Sequence, residues 1–190
     1  CDTCGLTFVE PAQRPSTEAE RARYATHRND PDDAGYRAFL WRAAGPLLER
    51  LAPGAEGLDY GSGPGPTLSR MMREAGHPTA DYDPFFAPDA AALARTYDFV
   101  TCTETAEHFF DPAAELDRID GLLRPGGWLA LMTTMRDDTL DFADWWYARD
   151  PTHVCFYRPR TMEWIAHRHG WQLERPHPNV ALFRKPPRER

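Results

Sequence analysis

Residues 58–65 read LDYGSGPG and decide the fold class of this chain of 190 residues. The run begins as a short apolar strand and continues into a turn with glycine at every second position. An amphipathic helix is predicted directly after it, because apolar residues recur at helical spacing between Leu68 and Ala75. A strand, a glycine-rich turn and a helix in this order are typical of an open parallel sheet. Ligands of such sheets bind beyond the carboxyl ends of the strands.

The glycine spacing argues against a dinucleotide as the ligand. A dinucleotide fingerprint is Gly-x-Gly-x-x-Gly/Ala, which places a pyrophosphate on the helix N-terminus. Here the glycines run Gly61-x-Gly63-x-Gly65, and the preceding Asp59 would repel a pyrophosphate. A carboxylate at Asp59 suits a ligand that carries an ammonium group and no phosphate, as S-adenosylmethionine does.

A second acidic residue follows at the end of the next predicted strand, residues 79–83. Asp83 at this place can accept hydrogen bonds from both ribose hydroxyls of a nucleoside. Phe85 and Phe86 come directly after it, and either ring could pack on an adenine face. An ordinary turn with a helix cap is the alternative interpretation, but the combination with Asp59 favours a nucleoside site.

The rest of the chain alternates between strands and helices. This alternation predicts an α/β fold with a mostly parallel sheet between two helical layers. The last two strands are joined by a short Pro-rich link, which indicates an antiparallel pair at the C-terminal edge. Pro46 is expected to kink or split the first long helix. Strands are predicted at 57–60, 79–83, 98–103, 128–132, 153–157, 171–174 and 180–183, and helices at 36–51, 68–75, 112–123 and 161–169.

These motifs together resemble the class I S-adenosylmethionine-dependent methyltransferases, which have a Rossmann-like, three-layer fold. Residues 58–65 are similar to the first motif of that family, and Asp83-Pro84 is similar to its acidic ribose motif. Residues 97–108 resemble its fourth strand and the loop after it, and LRPGGW at 123–128 resembles its Pro-Gly-Gly turn. The resemblance covers about residues 33–185, and the order and spacing of the four motifs make it specific.

The resemblance implies a seven-stranded sheet of order 3-2-1-4-5-7-6, with strand 7 antiparallel. Only 14 residues separate Asp83 from Asp98, so the third strand and its helices are expected to be shortened or absent. The resemblance also implies which residues contact the cofactor. The glycine loop would contact the methionine part, Asp59 would lie near the ammonium group, and Asp83 would bind the ribose. Two residues after the family's fourth strand, Thr103 and Glu104, would close the pocket. The expected cofactor-binding set is Asp59, Tyr60, Gly61, Ser62, Gly63, Asp83, Thr103 and Glu104.

Two histidines are candidates for a catalytic base. Methyl transfer needs a base only if the acceptor must lose a proton. His108 follows the strand predicted at 98–103, and His153 lies at the start of the strand predicted at 153–157. For each histidine the alternative is a structural hydrogen bond. Residues 145–147 (WWY) are expected either to wall the acceptor pocket or to bury a lid. No His-Glu-x-x-His motif or carboxylate set with metal spacing appears, so methyl transfer is expected to need no metal.

The N-terminal region differs from the rest of the chain. Residues 1–30 are expected to be the remnant of a zinc knuckle plus a linker, and residues 31–190 the S-adenosylmethionine-binding domain. Cys1-x-x-Cys4 is similar to one half of the knuckle that some methyltransferases of this type carry. A structural zinc needs four ligands. Zinc binding is therefore expected only in a longer protein with a second cysteine pair upstream.

The net charge of −7 narrows the choice of partners. It gives no basic footprint for nucleic acid, so a small-molecule methyl acceptor is expected. No apolar run approaches the roughly 20 residues of a membrane span, and a cytoplasmic location is predicted. A NAD-dependent oxidoreductase is disfavoured by the glycine spacing and by the lack of a Tyr-x-x-x-Lys pair. A non-catalytic nucleoside-binding module stays open, as does the oligomeric state.

Overall fold

The computed structural model describes residues 1–26, 29–137, 139 and 141–188. Its described residues form eight strands and five α-helices. The strands are β1 (Thr7–Phe8), β2 (Gly57–Tyr60), β3 (Thr79–Tyr82), β4 (Tyr97–Thr103), β5 (Leu123–Met132), β6 (Cys155–Phe156), β7 (Gln172–His177) and β8 (Val180–Arg184). The helices are α1 (Thr17–Tyr24), α2 (Ala34–Leu48), α3 (Thr67–Glu74), α4 (Pro112–Leu122) and α5 (Pro159–His169).

Six of these strands form the central sheet, in the order β3-β2-β4-β5-β8-β7. The β2–β3, β2–β4 and β4–β5 pairs are parallel, whereas β8 runs antiparallel to both β5 and β7. The predicted Rossmann-like α/β fold with an antiparallel edge pair is confirmed. The order matches the implied one without its third strand, since residues 84–96 hold only a short 3₁₀ turn at Ala92–Ala94.

Helices cover both faces of the sheet, so its central strands β2, β4, β5 and β8 are largely buried, whereas the edge strand β7 is mostly exposed. Alternate side chains of β4 and β5 face opposite layers: Val100 and Leu129 pack with α4 and α5, and Phe99 and Ala130 pack with α2 and α3. All four side chains are inaccessible to solvent. This double burial explains why these strands are nearly continuous apolar runs rather than alternating ones.

Pro46 does not split the first long helix, so that part of the expectation was wrong. Helix α2 begins after Asp33, whose carboxylate accepts hydrogen bonds from the backbone N–H groups of Gly35 and Tyr36. It continues through Pro46 and ends two residues later at Leu48. A proline so near the end removes one backbone hydrogen bond, and the remaining turns are held by packing against the sheet.

The N-terminal region packs onto the rest of the chain. Strand β1 pairs antiparallel with β6, so the predicted strand at 153–157 belongs to a separate two-stranded sheet. Helix α1, in a stretch predicted to be linker, begins at a cap formed by Ser16 and is tied to the far loop by an Arg23–Asp150 ion pair of 2.7 Å. Cys1 is exposed and Cys4 is buried. The division at residue 30 and the zinc-binding role of the two cysteines stay predictions.

Candidate cofactor and acceptor site

A cavity of about 650 Å³ lies beyond the carboxyl ends of β2, β3 and β4. Its volume is within the range of about 300–1,000 Å³ that is usual for small-molecule sites. The cavity lies where the strand order reverses, which is the place where open parallel sheets bind ligands. Every cofactor-binding and catalytic residue predicted from the sequence contributes to its lining: Asp59, Tyr60, Gly61, Ser62, Gly63, Asp83, Thr103, Glu104, His108 and His153.

The glycine loop forms one wall of the cavity and needs glycine at its first position. Gly61 has a φ of +83°, and its N–H and that of Ser62 both donate to the carbonyl of Tyr82, at 2.8 and 3.1 Å. A Cβ at Gly61 would lie 2.2 Å from Cγ2 of Thr105, whose hydroxyl donates to the Gly61 carbonyl. The loop is therefore pressed between the ends of β3 and β4.

The Gly61→Ala variant should be less stable than the native chain by about 2–4 kcal/mol, since the methyl group adds a clash to the cost of a positive φ. Gly54→Ala is the matched control, because Gly54 also has a positive φ (+72°) but open space around its Cβ position. Urea unfolding of both variants measures the difference. Equal destabilisation of the two variants would contradict the close contact between the loop and Thr105.

Asp83 holds the glycine loop in place. One carboxylate oxygen accepts a hydrogen bond from the N–H of Gly63 at 3.0 Å, and the other accepts from the N–H groups of Phe85 and Phe86 at 2.8 and 3.0 Å. The residue is buried yet lines the cavity. A carboxylate offers about four lone-pair sites, so one site is left for a ligand hydroxyl.

Asp59 lies deeper in the cavity, at the end of β2. Its side chain is 3% exposed and accepts a hydrogen bond of 2.8 Å from the Thr101 hydroxyl. Burial raises the pKa of Asp59 to about 7, and the carboxylate of Asp81 on the neighbouring strand adds to that rise. Within the described part of the chain, Asp59 has no ion-pair partner. A cationic group of a ligand would supply one.

Two further carboxylates follow β4. Glu104 has a φ of +48°, an unusual backbone conformation for a non-glycine residue and one that clusters at functional sites. Burial and the neighbouring Glu107 raise the pKa of Glu104 to about 9. Glu107 is 1% exposed and also lines the cavity, although the sequence did not single it out. Burial raises the pKa of Glu107 as well.

His108 and His153 lie side by side in the wall of the cavity, with ring centroids 4.9 Å apart. Each ring is held by a backbone carbonyl: Nδ1 of His108 lies 2.9 Å from the Thr152 oxygen, and Nδ1 of His153 lies 2.7 Å from the Tyr147 oxygen. Burial lowers the pKa of His153. The structure therefore places the two histidines in contact, which the sequence did not predict.

The segment at residues 145–147 contributes both to a buried cluster and to the cavity wall, and its role toward an acceptor stays a prediction. Trp145 is buried in a small aromatic cluster with Phe142 and Phe156. Trp146 is 67% exposed and lines the cavity with Tyr147.

Helix α1 supplies a further wall of the cavity through Glu20 and Tyr24. The contribution of α1 was missed from the sequence.

A family model described as a methyltransferase domain matches residues 34–175, which is most of the chain. The chain belongs to this methyltransferase family. Its fold is the class I fold of S-adenosylmethionine-dependent methyltransferases, as the resemblance of the motifs implied. The match includes the glycine loop, Asp83, the Glu107–His108 turn and His153.

Solved structures of this fold cover nearly the whole chain. One is the Burkholderia thailandensis 1,6-didemethyltoxoflavin-N1-methyltransferase with bound 1,6-didemethyltoxoflavin and S-adenosylhomocysteine, with a TM-score of 0.63, 18% identity and 95% of each chain covered. Another is an O-methyltransferase family protein from the same organism, with a TM-score of 0.57 and 15% identity, covering 94% of this chain and 66% of the other. At such identities the likeness shows the fold.

Curated relatives match over a shorter stretch. The ubiquinone biosynthesis O-methyltransferase of Paraburkholderia xenovorans is 42% identical over 60 residues, which is 31% of this chain and 26% of that protein. The enzyme of the same name from Leptothrix cholodnii is 38% identical over 65 residues, covering 34% and 28%. The chain thus matches only about a quarter of the length of these relatives.

Proposed function

We propose that this methyltransferase chain moves the methyl group of S-adenosylmethionine to a small-molecule acceptor. The observation that carries the proposal is the cavity, whose glycine loop lies between the buried carboxylates of Asp59 and Asp83. The glycine loop and the paired histidines both line this cavity. We place the cofactor at the glycine loop and the acceptor at the histidines, and we call the histidine region the acceptor end of the cavity.

Unsatisfied polar atoms in the cavity fit a ligand of this kind. Oγ of Ser62 and Oε1 of Glu104 are buried and have no hydrogen-bond partner among the described residues. Both residues line the cavity, so a ligand with amino and hydroxyl groups would complete their hydrogen bonds. Asp59 would pair with the ammonium group, and the remaining lone pair of Asp83 would accept from a ribose hydroxyl.

When bound, S-adenosylmethionine supplies a methyl group on a sulfonium. The chain supplies alignment and a site shielded from water. Tyr24 of α1 contributes to the shielding, since its ring packs against both Phe85 and His108, with centroids 5.7 and 5.0 Å apart. An acceptor between Trp146 and the histidine pair would place its reacting atom at the edge of the shielded region. His108 and His153 would assist the removal of a proton from the acceptor.

The purified chain should bind S-adenosylhomocysteine with a clear calorimetric signal, and NAD weakly or not at all. The reason is that Asp59 favours an ammonium group and repels a pyrophosphate. Titration calorimetry with each ligand at the same concentration tests this directly. Tighter binding of NAD than of S-adenosylhomocysteine would overturn the methyltransferase proposal.

Turnover needs a separate experiment, because cofactor binding alone also fits a non-catalytic nucleoside-binding module. The chain is incubated with S-adenosylmethionine and pools of small metabolites, and mass spectrometry records compounds that gain one methyl group. A methylated product that requires the chain identifies the acceptor. Cofactor binding without any methylated product across such pools would favour the non-catalytic module.

The remaining partner assignments are part of the proposal. With the net charge of −7, no nucleic-acid partner is expected. The cytoplasmic location remains a prediction. Among the described residues, no helix has the length and hydropathy that crossing a bilayer requires.

A further inference from the structure

Three metal-ligating side chains meet at the acceptor end of the cavity. Glu107 and His108 lie on the 3₁₀ turn Ala106–His108 after β4, and His153 lies just before β6. One carboxylate oxygen and one imidazole nitrogen from each histidine lie within 4.8 Å of one another. The N–H of Val154 donates to the carbonyl of Glu107 at 2.8 Å, which fixes the two segments together. This spacing in the chain matches no metal motif, so the sequence predicted metal-free chemistry.

Both histidines are oriented as metal-bound histidines usually are. A backbone carbonyl only accepts hydrogen bonds, so Nδ1 of His108 carries the proton that faces the Thr152 oxygen, and Nδ1 of His153 carries the proton that faces the Tyr147 oxygen. In a neutral ring the lone pair is then on Nε2. A carbonyl behind the ring both fixes this tautomer and holds the direction of the Nε2 lone pair.

The carboxylate of Glu107 supplies an independent indication of a ligand. Its Oε2 accepts a hydrogen bond of 2.8 Å from the Thr133 hydroxyl. Its Oε1 is buried, has no hydrogen-bond partner within the residues that the structure describes, and lies 4.0 Å from Nε2 of His108. Buried polar atoms without a partner are rare and call for an explanation such as an ion. A cation between these atoms would satisfy Oε1.

We propose that Glu107, His108 and His153 bind one divalent transition-metal ion at the acceptor end of the cavity. Two imidazoles and one carboxylate form a facial ligand set that suits Fe²⁺, Zn²⁺, Mn²⁺ or Co²⁺ and leaves positions open. Bonds of about 2.1 Å require the ligand atoms to approach one another by roughly 1 to 2 Å, which side-chain rotations supply. The two histidines then act through the ion rather than as bases.

The role of the ion rests on the proposed methyl transfer, whereas the binding site does not. A hydroxyl of the acceptor would take an open position on the ion, which lowers the pKa of that hydroxyl. Its proton would leave to water. The oxygen would then form a bond to the methyl carbon, while the bond between that carbon and the sulfonium sulfur breaks and leaves its electron pair on sulfur. The proposal therefore selects acceptors that bear a hydroxyl group.

Binding of Co²⁺ to the whole chain tests the site. The background is the Cys1→Ser/Cys4→Ser double variant, because thiols also bind this ion. Absorption and calorimetric titration should show one Co²⁺ per chain. His153→Gln and Glu107→Gln should each weaken binding by more than about 100-fold, since even outer-shell changes at metal sites cost 10- to 100-fold. His167→Gln and Glu163→Gln, both exposed on α5, are matched controls that should bind as the background does.

Two further measurements keep this outcome separate from that of the proposed function. Thermal melts of each variant show whether it folds, and His153→Gln remains informative if Glu107→Gln does not. An S-adenosylhomocysteine titration of the background tests the proposed function separately. No Co²⁺ uptake by the background, or uptake unchanged in His153→Gln and Glu107→Gln, overturns the metal site. Loss of S-adenosylhomocysteine binding with Co²⁺ uptake intact would instead count against the proposed function.

Discussion

The Asp59→Asn variant should be more stable than the native chain at pH 8 while binding S-adenosylhomocysteine about 10- to 150-fold more weakly. The gain in stability arises because burial raises the pKa of Asp59 to about 7, so the folded chain holds an ionised carboxylate above that pH. Asparagine has the same shape and can still accept the hydrogen bond from Thr101. The loss of affinity arises because the amide cannot form a charge-assisted hydrogen bond with the ammonium group.

The difference in stability between the native chain and the Asp59→Asn variant should depend on pH. The ordinary pKa of the carboxyl is 3.8 and its folded value is about 7, so its contribution to stability is fully present below pH 3.8 and is lost as the pH rises to about 7. The variant and the native chain should therefore have similar free energies of unfolding near pH 4. Their difference should grow to about 2–4 kcal/mol by pH 8.

Thermal melts from pH 4 to pH 8, with S-adenosylhomocysteine titrations at pH 8, measure both effects. Asp81→Asn is the matched control, because Asp81 lies opposite Asp59 on the next strand but forms an ion pair of 3.2 Å with Arg73. In the Asp81→Asn variant the loss of this ion pair offsets the weaker repulsion of Asp59, so its stability should rise far less than that of Asp59→Asn. A melting temperature of Asp59→Asn below that of the native chain at pH 8, or an unchanged affinity, would refute the assigned role.

Changing Asp83 to alanine should lower both cofactor affinity and stability. Affinity should fall about 10- to 150-fold through the lost ribose contact. The free energy of unfolding should fall by about 2–4 kcal/mol, because the N–H groups of Gly63, Phe85 and Phe86 lose their acceptor.

Asp81→Ala is the control for this second variant. Its ion pair with Arg73 is partly exposed on both sides, so its loss should cost less than about 1 kcal/mol. Melts without ligand and titrations with S-adenosylhomocysteine separate the two consequences for each variant. An Asp83→Ala chain that folds normally and keeps its full affinity would show that the ribose binds elsewhere.

The sequence was most informative where a local pattern has one structural solution. The glycine loop at 61–65, the acidic residue at position 83 and the Pro-Gly-Gly turn each belong to a strand end, and alternation of strands and helices fixes which ends share an edge. Those motifs carry the resemblance to the methyltransferase family, and that resemblance implied the sheet order and the residues that line the cavity. The capped helix α4 was also predicted, because Asp111 and Pro112 mark its start and the spacing of apolar residues marks its face.

The parts that could not be predicted depend on contacts between distant segments. Helix α1 has few apolar residues, so periodicity did not reveal it, and the only local sign was the cap at Ser16. Strand β1 has two residues and pairs with β6 across most of the chain. Glu107 is polar and follows a strand, which is typical of an exposed turn. Only the tertiary fold shows that it is buried beside His153.

The position of α1 matters for anyone who shortens this protein. The family match starts at residue 34, and the glycine loop, Asp83 and the Pro-Gly-Gly turn all lie after it. A version that began there would nevertheless lose Glu20, Tyr24 and Asn29, which close one side of the cavity. The sheet would keep its order, but bound molecules would be exposed to solvent and would leave sooner. The start point for protein expression should therefore follow the wall of the binding site and not the boundary of the family match.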